Sequence, residues 1–232
     1  MDVLFVARVD DGRTWFWRYG YIFDTVFALR GFSLSTMYGL SKVLRGLGIR
    51  YWLWLGGVKD KVVESSVNEV LIRDLSTLDF EGVIGPDITV LVNDPSVSNY
   101  ARFYRYLWLI DELRRLCRAF RIKFIPQIKY VHLNDLDVVL NRLGSDEAFY
   151  NASFELSDGV NIEPIVNLLR SRFKLWLGVT GWLRDLELVS RLKPHKLIVW
   201  RHTIRLHYPR RGRDPKDELL RLINDLRIYG LI

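Results

Sequence analysis

The sequence contains little that could form a disulfide or hold a metal ion. Its 232 residues include one cysteine, Cys117, so neither an intrachain disulfide nor a cysteine-based zinc site can form. His132, His195 and His207 show no metal-ligand spacing with one another or with acidic residues. We therefore expect no metal and no other cofactor. So little cysteine suits a reducing compartment, and we expect a cytoplasmic protein.

Long hydrophobic runs and glycine-rich phosphate loops are also missing. No run of about 18 uncharged apolar residues occurs, so we expect no transmembrane helix and no membrane partner. Strand-forming residues follow Met1 directly, so we expect no signal peptide. The chain has neither G-x-G-x-x-G nor G-x-x-x-x-G-K followed by Ser or Thr, the phosphate loops of many open sheets. It also lacks the G-x-S-x-G turn of serine hydrolases.

Positive charge is in excess. The chain has 34 lysines and arginines against 27 acidic residues, a formal net charge of +7. Such an excess favours anionic partners, nucleic acid first. Many arginines, with only two methionines and one cysteine, indicate a thermophilic source. The aromatic residues that look exposed would suit the face of a homodimer.

Most apolar runs of strand-forming residues end at polar side chains, and helix-type segments lie between most of them. These polar ends are Asp10 and Asp11, Asn93 and Asp94, Gln127 and Lys129, Glu155 and Asp158, Thr180, and Arg201 and His202. The alternation predicts a parallel sheet with a ligand site at the carboxyl ends of its strands. Without the phosphate loop of an open sheet, it favours a TIM-like (β/α) barrel whose site lies on the loops after the strands.

One α/β domain over residues 1–232 is the simplest organisation. Two segments depart from the alternation: an aromatic insertion at about 12–30 and a basic, Pro/Gly-punctuated loop at about 201–214. The insertion could stack bases or pack over the barrel mouth. Strands are predicted over 2–9, 88–93, 123–129 and 149–156, strand pieces within 62–75, and the longest helix over 99–121.

Four segments in order resemble the tRNA-guanine transglycosylase family. "WLWLGGVKD" supplies the pair Gly56–Gly57, "GPDITVLVNDP" supplies Asp94, "FIPQIKY" supplies Gln127, and the stretch from "FKLWLGV" leads into the arginine-rich loop. The resemblance covers residues 51–212 and implies a barrel in which Gln127 and the glycine pair contact a nucleobase. Trp54 and Trp200 stand where that family has carboxylates, and the family's cysteine-rich zinc motif is absent.

Three carboxylates are candidates for catalysis. Asp94, Glu155 and Asp158 follow predicted strands and could act as nucleophile or acid. The alternative for Asp94, followed by Pro95, is a helix cap or turn, and Asp158 before glycine is also typical of a turn. The basic loop supplies candidates for phosphate or nucleic-acid binding: Arg201, His202, Arg210, Arg211 and Arg213.

These observations predict a protein that binds a nucleobase or a nucleic acid, tRNA or DNA. If it is an enzyme, a nucleoside or tRNA glycosyltransferase with altered catalytic residues is the expected class. Two alternatives stay open. One is a nucleic-acid-binding protein without catalysis, and the other is a barrel enzyme that acts on a phosphorylated small molecule.

Overall fold

The computed structural model describes residues 1–8, 20–21, 23–30, 32–200 and 215–232. Residues 12–19 and 22 of the predicted aromatic insertion and the whole basic loop lie outside these residues. The candidates that lie outside with the loop are Arg201, His202, Arg210, Arg211 and Arg213. Their assignment stays a prediction.

Eight short parallel strands form the sheet. They are β1 Asp2–Arg8, β2 Thr25–Ala28, β3 Tyr51–Trp54, β4 Gly82–Gly85, β5 Phe124–Pro126, β6 Glu147–Asn151, β7 Lys174–Val179 and β8 Lys196–Val199. Their order is β5-β4-β3-β2-β1-β8-β7-β6. A parallel bridge between Gln127 and Phe149 joins the two outer strands, and the Ile128 N–H donates to the Phe149 carbonyl at 2.7 Å. The sheet thus closes, and the predicted TIM-like barrel is confirmed.

Helices of the described chain lie between the strands and cover the barrel. They are α1 Leu34–Gly46, α2 Asp60–Ser66, α3 Glu69–Leu75, α4 Val97–Ala119, α5 Leu136–Leu143, α6 Ser153–Ser157, α7 Glu163–Arg172, α8 Leu183–Leu192 and α9 Pro215–Ile228. Side-chain caps satisfy free N–H groups at the starts of α3 and α4. The Leu71 N–H donates to Asn68 Oδ1 at 2.9 Å, and the Asn99 N–H donates to Ser96 Oγ at 3.3 Å. No described helix is both long and apolar enough to span a membrane.

Two hydrophobic cores follow from the alternation of side chains along the strands. On β1, Leu4 and Val6 belong to the core inside the barrel, whereas Val3 and Phe5 belong to the core between strands and helices. The inner core is filled by Leu4, Val6, Val26, Ala28, Trp52, Ile84, Ile125, Phe149, Trp176 and Ile198. The interior is therefore packed, and a ligand site must lie at one end of the barrel.

Several predicted elements were wrong. The segment predicted as an aromatic insertion contains a barrel strand, β2, whose four residues are all buried. Four residues are too few to show a clear strand pattern in the sequence. Residues 62–75 belong to helices α2 and α3 rather than strand pieces, with the break between them at the cap Asn68. Residues 88–93 form no strand, because β4 ends earlier at Gly85, whose φ of +136° favours glycine. The strand predicted to run to 156 ends at Asn151, whose Oδ1 accepts the Ser153 N–H at the start of α6.

Candidate active site

The end of β3 brings an indole ring to the carboxyl end of the barrel. A Cβ atom on Gly56 would lie 2.3 Å from Cε2 of Trp54, so the ring can lie there only because residue 56 is glycine. Gly57 has a φ of +73°, which also favours glycine. The glycine pair, which the family resemblance assigned to base binding, thus has a local role in seating Trp54 and turning the chain.

A chain of hydrogen bonds runs from this ring across the strand ends. Trp54 Nε1 donates to Gln127 Oε1 at 2.9 Å, and Gln127 Nε2 donates to Asp87 Oδ1 at 2.8 Å. Lys129 Nζ lies 2.7 Å from the same Asp87 oxygen. We call Asp87, Gln127 and Lys129 the polar cluster. Gln127 is fully buried, and the lysine and aspartate side chains are 17% and 19% exposed, so a ligand at the mouth could reach the two charged groups.

A tyrosine of α4 fixes the backbone of the polar cluster. The Tyr106 hydroxyl donates to the Gln127 carbonyl at 2.6 Å and accepts the Lys129 N–H at 3.2 Å. Burial raises the pKa of Tyr106, so the hydroxyl keeps its proton at neutral pH and stays a donor. The longest helix therefore holds the strand end that carries two of the three cluster residues.

Glu155 lies beside the polar cluster, on α6. Burial raises the pKa of Glu155 above its ordinary value, although the nearby Lys129 charge and a hydrogen bond act to lower it. That bond comes from the Tyr150 hydroxyl, which lies 3.3 Å from Glu155 Oε1 and 3.4 Å from the Tyr130 hydroxyl. Glu155, one of the three predicted catalytic carboxylates, thus combines a raised pKa with a lysine nearby. Asp158 is exposed.

Asp94 holds a turn ahead of α4. Its Oδ1 accepts the Ser96 N–H at 3.0 Å, and its carbonyl accepts a bond from Asn99 Nδ2 at 2.8 Å. These contacts match the helix-cap or turn alternative for Asp94. The carboxylate that meets Gln127 is Asp87, which the sequence analysis missed because it placed the preceding strand too late in the chain. With β4 ending at Gly85, the Gly-Pro-Asp sequence marks Asp87 as the first polar residue after the strand.

Aromatic rings form the apolar part of the barrel mouth. Trp54 and Trp200 stack at 17° with ring centroids 6.2 Å apart, and Phe149 meets Trp54 edge-on at 6.4 Å. A Cβ on Gly178 would lie 2.8 Å from Phe149 and 3.1 Å from Trp200, so a second glycine makes room for these rings. Aromatic walls with a few polar groups are typical of small-molecule sites.

The described residues offer no group of three or more His, Cys, Asp and Glu side chains arranged to hold a metal ion. Cys117 is buried, and burial raises the pKa of its thiol to about 12. A thiol that stays protonated is a poor nucleophile. Among the described residues, this end of the barrel presents carboxyl, ammonium, amide and indole groups.

No protein-family description matches this chain, and no curated protein sequence does. Solved structures match it over nearly the full length. D-allulose 3-epimerase from Methylomonas sp. has a TM-score of 0.62 and 11% identity over 99% of this chain and 98% of the other. 3-keto-L-gulonate-6-phosphate decarboxylase from Vibrio cholerae has a TM-score of 0.58 and 12% identity over 98% of each chain. 3-hexulose-6-phosphate synthase from Salmonella typhimurium has a TM-score of 0.56 and 12% identity over 99% of this chain and 100% of the other. At such identities the likeness establishes the barrel fold alone.

These comparisons correct the expectations built on the transglycosylase resemblance. The matching structures are named as sugar and sugar-phosphate enzymes, so the family assignment, the glycosyltransferase class and the nucleic-acid or nucleobase partner were wrong. The structure gives the physical reason. Indole rings of Trp54 and Trp200 occupy the mouth where that reaction needs carboxylates, and Asp94 holds a turn.

Proposed function

We propose that this protein is an enzyme that acts on a phosphorylated, sugar-like small molecule at the carboxyl end of its barrel. This was one of the alternatives left open by the sequence. The observation that carries it is that Lys129, held 2.7 Å from Asp87, lies near Glu155, a half-buried carboxyl whose pKa burial raises. Perturbed acid–base groups in a barrel mouth are typical of active sites. The names of the structures with the same fold support the substrate class.

The reaction best suited to these groups is proton transfer at a carbon next to a carbonyl. Glu155 would take the proton, and the electron pair of the broken C–H bond would move to the carbonyl oxygen. The Lys129 ammonium would stabilise the oxyanion that forms. A proton delivered to the opposite face of the same carbon completes an epimerisation. In an isomerisation the former carbonyl carbon and its oxygen are protonated instead, and the hydroxyl on the first carbon loses its proton to become the new carbonyl. Asp87 and Gln127 would hold the ammonium in place without touching the reacting atoms.

The phosphate of the substrate would be bound by the basic loop after β8. In TIM barrels the loops after the seventh and eighth strands frequently bind phosphate. This loop lies outside the described residues, so its assignment rests on the sequence alone. The residues proposed for phosphate are Arg201, His202, Arg210, Arg211 and Arg213.

Deuterium exchange tests the proposal. The protein is incubated in D₂O with D-fructose 6-phosphate, D-ribulose 5-phosphate or dihydroxyacetone phosphate, and proton NMR follows exchange next to the carbonyl. We expect exchange with at least one of them and its loss in Glu155→Gln. Asp137→Asn, which alters an exposed carboxylate of α5, is the matched control and should exchange like the wild type. Absence of both exchange and binding with all three compounds would contradict the proposal.

A further inference from the structure

Two glycines shape the barrel mouth around aromatic rings. A Cβ atom on Gly56 would lie 2.3 Å from Trp54 and one on Gly178 would lie 2.8 Å from Phe149, too close for packed atoms, and the Gly178 Cβ would also lie a tight 3.1 Å from Trp200. The glycines lie on different loops and strands, yet each makes room for a ring of the same group. Glycine at two separate positions of the chain thus leaves the space that these rings occupy at the mouth.

The orientation of Trp54 is fixed by a hydrogen bond at the edge of its indole ring rather than by contacts on the faces of the ring. Its indole N–H is bound to Gln127, which is itself fully buried and tied to Asp87. Trp200 lies almost parallel to it, at 17°. Both rings are partly exposed, whereas Trp52, two residues earlier on the same strand, is 2% exposed. What the pair can offer a ligand is therefore flat aromatic surface.

We infer that Trp54 and Trp200 form a stacking platform for the carbon-bearing face of a sugar-like substrate, an inference that rests on the proposed function. One side of a sugar carries mostly C–H groups, which are attracted to the negative face of an aromatic ring. Its hydroxyl groups need hydrogen-bond partners, which Asp87 and Lys129 offer next to the platform. An inorganic anion has no such face and would gain nothing from the rings.

The platform also assigns a role to Gln127. Its amide binds the Trp54 indole on one side and Asp87 on the other, so it sets the position of the platform relative to the charged groups. Gln127 is buried at 0% exposure, so we assign it as a positioning residue that the substrate does not touch.

Binding measurements test the platform. Titration calorimetry with D-fructose 6-phosphate, D-fructose and inorganic phosphate compares the wild type with Trp54→Leu and Trp200→Leu. Each leucine variant should bind the sugar phosphate about tenfold more weakly, because an aromatic contact contributes up to about that factor. Any binding of inorganic phosphate should stay unchanged. Trp52→Leu, the matched control inside the barrel, should lower the melting temperature and leave the sugar affinity of the folded protein as it was.

Saturation-transfer NMR adds a measurement that needs no variant. Irradiation of the aromatic protons of the wild type should transfer magnetisation to the C–H protons of bound D-fructose 6-phosphate. The platform is overturned, and the proposed function kept, if the wild type binds this compound but both leucine variants bind it equally well. The platform is also overturned if the variants weaken the binding of inorganic phosphate by the same factor as the binding of the sugar phosphate. Failure of the wild type to bind either sugar overturns the platform, and the proposed function falls with it only if none of the three phosphates used for deuterium exchange is bound or exchanged.

Discussion

The two ends of the barrel use the same residue types in opposite ways. At the amino end, the ammonium of Lys196 lies 5.0 Å and 4.6 Å from the ring centroids of Trp52 and Trp176. At the carboxyl end, Lys129 meets the carboxylate of Asp87 at 2.7 Å. The first lysine covers aromatic faces, and the second is held beside a site that a ligand could enter. A tryptophan and a lysine at a strand end therefore do not by themselves indicate function.

Exposure distinguishes the two ends. Trp52 and Trp176 are 2% and 0% exposed and meet edge to face at 82°, so nearly all of their surface is covered by packing. Trp54 and Trp200 are partly exposed and nearly parallel. The amino end thus seals the barrel and contributes stability, while the carboxyl end leaves aromatic and charged groups within reach of a ligand.

The largest expected effect is loss of stability at the amino end. Trp176→Ala should lower the free energy of unfolding by about 3–5 kcal/mol, because it leaves a cavity in the inner core. It also removes the N–H that donates to Glu147 Oε2 at 2.9 Å. Denaturant titration measures the loss. Trp54→Ala is the matched variant at the other end and should lose less, because its ring is partly exposed already. Equal losses would contradict the contrast between the two ends.

Loss of the Lys129 ammonium should lower the rate of the proposed reaction. Lys129→Met removes the ammonium proposed to stabilise the oxyanion, and the exchange rate with the accepted sugar phosphate should fall by about 10²–10³. Deuterium exchange in D₂O measures the rate, and melting curves establish that the variant is folded. An unchanged rate would exclude Lys129 from the reaction.

The corresponding change at the amino end should affect stability alone. Lys196→Met removes the cation from two rings and from Asp2, which lies 3.5 Å away. Its side chain is 10% exposed, so we expect a loss of about 1–2 kcal/mol in the free energy of unfolding. The exchange rate of the folded variant should match the wild type. A variant with normal stability but a slow reaction would reverse the roles assigned to the two lysines.

The smallest expected effect is on the pH dependence of stability. Burial raises the pKa of Glu155 above its ordinary value of 4.5, so the folded state holds this proton more tightly than the unfolded chain does. The contribution of Glu155 to stability is then favourable at low pH and falls as the pH rises from about 4.5 through the folded-state pKa. Glu155→Gln has no proton to lose and should be spared this fall.

Denaturant titrations at about pH 4 and pH 8 measure the difference, since both forms share every other titrating group. The variant should gain stability relative to the wild type as the pH rises. Asp137→Asn, a change at an exposed carboxylate, should leave the wild-type pH dependence as it is. A relative gain of the Glu155 variant at low pH would mean that the carboxyl is stabilised in its charged form.

Part of the site could be predicted from the sequence, because some of its residues come directly after recognisable strands. Gln127 and Glu155 were singled out at the ends of predicted strands, and the pair Gly56–Gly57 through the family resemblance. Asp87 was missed because β4 is only four residues long and ends at a glycine with a positive φ. The loop after it contains apolar residues that imitate a strand, which drew attention to Asp94 instead.

The sequence by itself determined a parallel sheet covered by helices, since strand and helix patterns alternate along it, and the missing phosphate loops favoured the closed barrel. It also determined where the polar side chains leave the strands. Only the tertiary structure decided which of them meet. Trp54 and Gln127 are 73 residues apart in the chain, and Gln127 and Asp87 are 40 apart, so their contacts depend on strand order and register. The same closure of the sheet buried one set of tryptophans and left another at the mouth, because residues two apart on a strand share a face but lie at different depths in the barrel.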